Sequence, residues 1–243
     1  MRVQAKLVPP MIVGKGLLAS AFDPSTIRRF NAIVFASGVS NSAETRPECF
    51  VREASLLDEY LAKQESLFVY FSTCSVADPD RSSTLYVQHK LAMEAKVMAT
   101  AERHLILRLP QVVGHTHNPH TLANFLARNI LDNVEFPVWE SAIRCLIDVD
   151  DAARITEHLI AHDAGTMRIG ELAPPETINM NELVKIMETV LNTKARCKRL
   201  PHSGGAIPDP TLATSVGSVL GIDFSPGYTH RLIQKYYGSH HAN

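Results

Sequence analysis

The stretch MIVGKGLLA, residues 11–19, places a short apolar run directly before a glycine-rich turn. Gly14, Gly16 and Ala19 match the pattern G-x-G-x-x-A, which has the form of a phosphate-binding turn between a strand and a helix. The first glycine allows the tight turn, the second allows a pyrophosphate to approach, and the alanine allows close helix–strand packing. We expect a helix that ends near Phe22. A strand-to-helix turn without a ligand would give the same pattern.

A second apolar strand is expected from residue 31, and it ends in the small residues Ala36, Ser37 and Gly38, which leave room for a ligand. Only residues 23–30 separate it from the first helix. A complete dinucleotide-binding unit places a strand with a ribose-binding acid, and a further helix, in this interval. We therefore expect the adenosine-recognition element to be absent, and Asp23 followed by Pro24 to mark a helix end.

A third strand, residues 67–71, delivers Thr73 to its end, and the helix of residues 85–102 begins with Tyr86 and Lys90. Residues four apart share a helix face, with Cβ atoms about 5–6 Å apart. A cation there favours the phenolate and brings a tyrosine, whose ordinary pKa is about 10, toward the range of general acid/base catalysis. Thr73 would then steady an oxygen facing the phenol. A chance match is the alternative, because Y-x-x-x-K recurs on helices.

Strands alternate with helices through the strand of residues 104–109. Helical periodicity fills residues 48–64, and Ser82 and Ser83 are placed to cap the helix of residues 85–102. This alternation predicts an α/β fold, a Rossmann-like doubly wound parallel sheet with a small C-terminal α/β substrate-binding portion. We expect residues 1–110 to form the dinucleotide-binding domain. Residues 111–243 form mostly the substrate-binding portion, and residues 144–165 return to the core. Residues 204–227 are expected to be rich in loops.

Composition excludes several functional classes. The 243-residue chain has a net charge of −1, which indicates neither nucleic acid nor a membrane surface as a partner. No apolar run is long enough to cross a membrane, and the first ten residues are too weakly apolar for a signal peptide, so we expect a cytoplasmic protein. The four cysteines lack metal-ligand spacing, which favours reduced thiols.

Two further features are candidate ligand sites. His115, His117 and His120 lack a carboxylate or thiolate at ligand spacing, which favours a solvated loop over a metal site, and no metal is expected. Arg144 precedes an acidic helix cap. It is either a surface charge or a clamp for a diphosphate beside a cleft.

Together these motifs resemble the extended short-chain dehydrogenase/reductase family, which includes nucleotide-sugar epimerases, dehydratases and ketoreductases. The glycine turn, the strand ending at Gly38, Thr73, the Tyr86/Lys90 pair, the segment of residues 108–114 and the segment of residues 144–151 follow the family order. The resemblance implies NAD or NADP as cofactor, a nucleotide-sugar substrate and a homodimer paired through the helices of residues 48–64 and 85–102.

The resemblance also implies roles for individual residues. It assigns catalysis to Thr73, Tyr86 and Lys90; cofactor binding to Gly14, Gly16, Leu17, Ala19, Ser37, Gly38 and Lys90; and substrate binding to Thr73, Gln111 and Arg144. In this assignment Lys90 holds the nicotinamide ribose and lowers the pKa of Tyr86.

Departures from the family narrow the expected reaction. Where the 4,6-dehydratase branch carries Asp and Glu after the active-site threonine, this chain has Cys74 and Ser75, which argues against dehydration. Only 13 positions separate Thr73 from Tyr86, so we expect a more open pocket mouth. Because the ribose-binding acid is absent, the sequence does not distinguish NAD from NADP, and it implies weakened cofactor binding.

The resulting expectation is an NAD(P)-dependent oxidoreductase on a nucleotide-linked sugar, a 4-ketoreductase or epimerase of surface-polysaccharide synthesis. The shortened adenosine region also fits a non-catalytic dinucleotide-sensing regulatory protein of the same fold, or a relative that binds no cofactor. The sequence leaves open the sugar, the nucleotide base and the choice between reduction and epimerisation.

Overall fold

The computed structural model describes residues 11–62, 66–162 and 169–238. The strands are β1 (Met11–Val13), β2 (Ala32–Phe35), β3 (Leu67–Thr73), β4 (His104–Leu109), β5 (Gln111–Val113), β6 (Phe136–Asp148), β7 (Ile169–Glu171), β8 (Thr177–Asn179) and β9 (Cys197–Gly204). The helices are α1 (Leu17–Ser20), α2 (Pro24–Arg29), α3 (Pro47–Leu61), α4 (Leu85–Thr100), α5 (Leu122–Leu131), α6 (Val149–His162), α7 (Met180–Leu191), α8 (Thr211–Leu220) and α9 (Tyr228–Tyr237). Two short 3-10 helices, Cys74–Ala77 and Pro79–Arg81, lie between β3 and α4.

The main sheet is parallel throughout, with strand order β1-β2-β3-β4-β7. Alternate side chains of each central strand point to opposite faces, and both faces are buried. Ile33 and Tyr70 pack in one cluster with Leu57 of α3. Val34 and Val69 belong to a second cluster that includes residues of α2, α6 and α8. The predicted α/β, doubly wound parallel fold is confirmed.

The glycine turn is followed by much less structure than in a complete dinucleotide-binding unit. Residues 23–30 hold only α2, and β2 then pairs directly with β1 in parallel. As expected, no strand lies between them, so β1 forms an edge of the sheet within the described residues. Helix α1 ends at Ser20, before the Asp23-Pro24 pair, and Asp23 also begins the next helix. Its carboxylate accepts from the N–H groups of Ser25 and Thr26 and caps α2, with Pro24 at the first helical position.

A second sheet is built around β6, which pairs with β5 and β9 in parallel and with β8 in antiparallel orientation. Helices α5, α7 and α9 pack on it. Helix α8 was missed in the segment predicted as loop, although Ala213 and Val216 are buried against the main sheet cluster. The domain boundaries stay a prediction.

The junction of β6 and α6 connects the two sheets, and α9 supplies its polar partners. Tyr236 donates to one oxygen of the Asp148 carboxylate at 2.7 Å, and Lys235 donates to the other at 2.8 Å. The Asp148 N–H donates to the Tyr228 hydroxyl at 2.9 Å, and that hydroxyl donates to Asp151 at 2.8 Å. These contacts fix the end of the strand that carries Arg144.

No helix among the described residues combines the length and apolar character needed to cross a membrane. Residues 1–10, which carried the expectation of no signal peptide, lie outside the described part of the chain.

Gly14 has a structural requirement that Gly16 does not share, and the pair gives a direct test. Gly14 has φ of +132°, and an added Cβ would lie 2.5 Å from the Ala36 carbonyl oxygen, whereas nothing lies within 4 Å of a Cβ at Gly16. Gly14→Ala should therefore lower the free energy of unfolding by about 1–3 kcal/mol. Gly16→Ala should change it by less than about 0.5 kcal/mol. Urea denaturation of both variants measures this, and equal losses would contradict it.

Candidate functional site

A cavity of about 280 Å³ opens where the main-sheet strands end, which is where open parallel sheets bind ligands. Its walls come from the glycine turn, the ends of β2 and β3, the first turns of α4, and the β4–β5 connection. The predicted site residues that line it are Gly16, Leu17, Gly38, Thr73, Tyr86, Lys90 and Gln111.

Thr73 is held in place by the chain that follows it. It is the last residue of β3, it is 7% exposed, and its Oγ1 accepts a hydrogen bond of 3.1 Å from the Ser75 N–H. This contact caps the 3-10 helix of residues 74–77. It uses an oxygen lone pair and leaves the hydroxyl proton for donation to a ligand.

Tyr86 reaches the cavity from the first turn of α4. The helix is capped by Thr84, whose Oγ1 accepts from the Val87 N–H at 3.3 Å, and not by the serines before it as the sequence suggested. Tyr86 is 7% exposed and packs with Val39 and Val87. Its side chain therefore borders the same cavity as Thr73.

Lys90 is buried, and its ammonium contacts three protein acceptors. It is 3% exposed and donates to Glu53 at 3.0 Å, to the Tyr70 hydroxyl at 3.2 Å and to the Phe71 carbonyl at 3.3 Å. Sequence reasoning expected Lys90 to serve Tyr86 and a ribose. The described structure gives it a carboxylate partner that was not foreseen.

Glu53 is the centre of this buried group. It is 0% exposed, and its second oxygen accepts from the Val39 N–H at 2.6 Å and lies 3.1 Å from His89 Nε2. Burial favours the protonated carboxyl, but Lys90, His89, the Val39 N–H and Tyr70 together lower the pKa of Glu53 to about 2. The carboxylate therefore stays ionised at neutral pH and compensates the Lys90 charge.

Three predicted cofactor residues do not line the cavity. Gly14 packs against the end of β2, and Ala19 is 7% exposed within α1. Ser37 is engaged by Arg52, which donates to its Oγ at 3.2 Å and to its carbonyl at 2.9 Å. These three residues contact the protein around the turn and do not line the cavity, and their cofactor roles stay a prediction.

Arg144 lies in a smaller adjoining cavity of about 60 Å³, which shares Ser75, Pro110 and Gln111 with the larger one. Arg81 lines the same cavity, although sequence reasoning missed it. Arg144 donates to the Ile143 carbonyl at 2.7 Å. Burial and the nearby Arg81 guanidinium lower the pKa of Arg144, and Asp78 partly offsets them. The arginines place positive charge beside the larger cavity.

Two other residues were not foreseen. Ser72 lines the larger cavity, and its buried hydroxyl has no hydrogen-bond partner among the described residues. Glu53 did carry a sequence signal, since it lies at helical spacing from Leu57 and Leu61, on the apolar face of α3. A charge on that face is expected only when a buried partner meets it.

The structure also shows the surroundings of Cys74, which replaces an acidic residue of the 4,6-dehydratase branch. Cys74 is a free, buried thiol that donates to the Arg108 carbonyl at 3.4 Å, and burial raises its pKa well above the ordinary range. It cannot act as a base at neutral pH. Among the described residues, no cluster of three or more His, Cys, Asp or Glu could hold a metal ion.

Solved structures share this fold at low sequence identity. UDP-glucuronic acid 4-epimerase from Bacillus cereus, in complex with UDP-glucuronic acid and NAD, is 15% identical with a TM-score of 0.66, covering 85% of this chain and 74% of that one. RMD from Pseudomonas aeruginosa, complexed with NADPH, is 16% identical with a TM-score of 0.60, covering 86% and 82%. UDP-glucose 4-epimerase from Thermus thermophilus, complexed with NAD, is 13% identical with a TM-score of 0.59, covering 86% and 77%.

No curated protein sequence matches the chain. The sequence profile of the NAD dependent epimerase/dehydratase family matches residues 26–171, which is more than half of the 243 residues. The matched segment contains Gly38, Thr73, Tyr86, Lys90 and the segments of residues 108–114 and 144–151, and it begins after the glycine turn. The chain belongs to the NAD dependent epimerase/dehydratase family.

Proposed function

We propose that the protein is an NAD(P)-dependent oxidoreductase acting on a nucleotide-linked sugar, as a 4-ketoreductase or an epimerase of surface-polysaccharide synthesis. The observation that carries this proposal is that Thr73, Tyr86 and Lys90 border one cavity together with Gly16 of the glycine turn. Family membership and the NAD-bound and NADPH-bound structures of similar fold support it.

The chemistry divides between the cofactor and two hydroxyl groups. A nicotinamide dinucleotide, when bound, supplies the hydride acceptor or donor. Tyr86 takes the proton from a sugar hydroxyl as its carbon is oxidised, and returns a proton to the oxygen when a carbonyl is reduced. Thr73 donates its hydroxyl hydrogen to the same oxygen and stabilises the charge that develops there.

The residues fit a dinucleotide better at its nicotinamide end than at its adenosine end. Gly16 has open space where a side chain would stand, and Gly38, Tyr86 and Lys90 line the same cavity. The edge position of β1 and the four residues of α1 leave little of the described chain around the adenosine. The same truncation favours the second candidate, a non-catalytic dinucleotide sensor.

The two arginines suggest where the nucleotide diphosphate binds. Guanidinium groups bind phosphate oxygens with paired, charge-assisted hydrogen bonds. Arg81 and Arg144 share the smaller cavity, and Gln111 connects it to the larger cavity. A sugar lying across Gln111 would carry its diphosphate toward the arginines, and Cys74 and Ser75 supply no carboxylate pair for dehydration.

Dimerisation through α3 and α4 stays part of the proposal, as does a cytoplasmic location. Both helices expose apolar side chains, with exposed fractions of 62% for Val51, 59% for Leu85 and 44% for Met98. A partner that covered these side chains would remove their apolar surface from water.

The assignment of Tyr86 predicts that Tyr86→Phe lowers kcat for a 4-keto sugar nucleotide by about 10²–10⁴-fold, because the proton donor is lost. Binding of the dinucleotide should change little. Oxidation of NADH or NADPH, followed by its absorbance, gives the rate, and Tyr60→Phe on α3, away from the cavity, is the matched control. Undiminished turnover by Tyr86→Phe would sink the assignment.

The cavity wall at Gly16 predicts that Gly16→Ala weakens dinucleotide binding about tenfold, or about 1.4 kcal/mol, because the methyl group enters the ligand space. Fluorescence titration with NADH and NADPH measures the dissociation constants. Adding sugar nucleotides to the same samples then separates the two functions. Cofactor binding without sugar-dependent oxidation would identify the sensor, and no cofactor binding would exclude both.

The arginine cavity predicts that Arg81→Gln and Arg144→Gln each raise KM for the sugar nucleotide about tenfold, because each removes charge-assisted contacts to the diphosphate. The change in kcat should be smaller. Arg103→Gln, at an exposed arginine, is the control for loss of charge alone. If both variants matched this control, the diphosphate would have to bind elsewhere.

A further inference from the structure

The ammonium of Lys90 has no unused N–H group in the described structure. An ammonium carries three donors, and Lys90 directs contacts at Glu53, the Tyr70 hydroxyl and the Phe71 carbonyl, at 3.0, 3.2 and 3.3 Å. Of these three acceptors, only Glu53 carries a charge. The lysine therefore reaches the cavity as half of a neutral ion pair.

Glu53 is fixed from several elements of the fold. Its Oε1 also accepts from the Tyr70 hydroxyl at 2.7 Å, and its Oε2 accepts from the Val39 N–H at 2.6 Å. The carboxylate is 0% exposed, so water does not screen it from Lys90. The lowered pKa of Glu53 agrees with a carboxylate that remains charged in this position.

The ion pair lies directly beneath the cavity wall at Gly38. A Cβ added there would lie 2.6 Å from Lys90 Nζ and 3.0 Å from Glu53 Oε1, so only the missing side chain separates the pair from the backbone. Gly38 and Lys90 both line the cavity. The net charge of the pair therefore acts on any ligand ring bound beside Gly38.

We propose that Glu53 is a positioning residue that holds Lys90 and cancels its charge next to the nicotinamide end of the dinucleotide. This inference rests on the proposed function. The oxidised nicotinamide ring is a cation and the reduced ring is neutral, so the charge beneath the cavity sets the relative affinity for the two forms. With Glu53 present, Lys90 borders the cavity without repelling the oxidised cofactor.

The test is the ratio of dissociation constants for the oxidised and reduced cofactor, measured by calorimetry with whichever of NAD or NADP the wild type binds more tightly. Glu53→Gln leaves the charge of Lys90 uncompensated. The dissociation constant of the oxidised form, divided by that of the reduced form, should therefore rise about tenfold. This rise corresponds to a shift of about 30 mV in the reduction potential of the bound two-electron couple. Lys90→Met leaves the carboxylate uncompensated, so the ratio should move the other way.

Two controls separate charge from structure. Tyr70→Phe removes a contact to both partners and keeps their charges, so its ratio should stay within about twofold of wild type. The double variant Glu53→Gln/Lys90→Met removes both charges and should also return near the wild-type ratio. Thermal melts identify variants that do not fold. If Glu53→Gln does not fold, Lys90→Met still tests the proposal, because it should shift the ratio of dissociation constants in the opposite direction.

The outcomes distinguish the two proposals. If the wild type binds the cofactor and the ratio is unchanged in Glu53→Gln and Lys90→Met, the role of Glu53 is overturned and the proposed function stands. Equal shifts in Glu53→Gln and Tyr70→Phe would also overturn it, because they would indicate a structural effect. Absence of binding by wild type would overturn both.

Discussion

The neighbourhood of the cavity depends on the compensation of one buried charge. Removing one partner of a buried ion pair commonly destabilises a protein by about 3–5 kcal/mol, a large part of the roughly 5–15 kcal/mol that stabilises a typical fold. Lys90 of α4 is compensated by Glu53 of α3, and Tyr70 of β3 contacts both. The two helices must therefore pack side by side over β3, and Gly38 must lack a side chain. The wall that presents Tyr86 follows from this arrangement.

Local patterns were sufficient to predict the parallel sheet and several of the residues that line the cavity. The glycine turn, the small residues after β2 and Thr73 at the end of β3 are signals carried by short segments, and parallel topology then brings strand ends together. Arg81 could not be found in this way, because its approach to Arg144 depends on how the segment between β3 and α4 folds. Helix α8 was missed because Gly217 and its serine and threonine residues weaken its helical pattern.

The roles of Asp23 and Glu53 could not be predicted from their immediate neighbours, for a common physical reason. The pair Asp23-Pro24 predicts a helix end, but the same pair is also favourable at the start of the next helix. Glu53 lies on the apolar face of α3 with Leu57 and Leu61. The role of each residue depends on which groups complete its hydrogen bonds, and for Glu53 such a group is distant in the sequence. Lys90 stands 37 positions later in the chain.

The contacts of α9 with the β6–α6 junction have a consequence for synthesis on the ribosome. Tyr228 follows Asp148 by 80 positions. At translation rates of about 5–20 residues per second, the junction emerges about 4–16 s before the helix that supplies its partners. The second sheet lacks one covering layer during that interval, while the strands of residues 11–109 have already been made. Four of the five main-sheet strands, all but β7, are therefore synthesised before Arg144 and the later residues that line the arginine cavity.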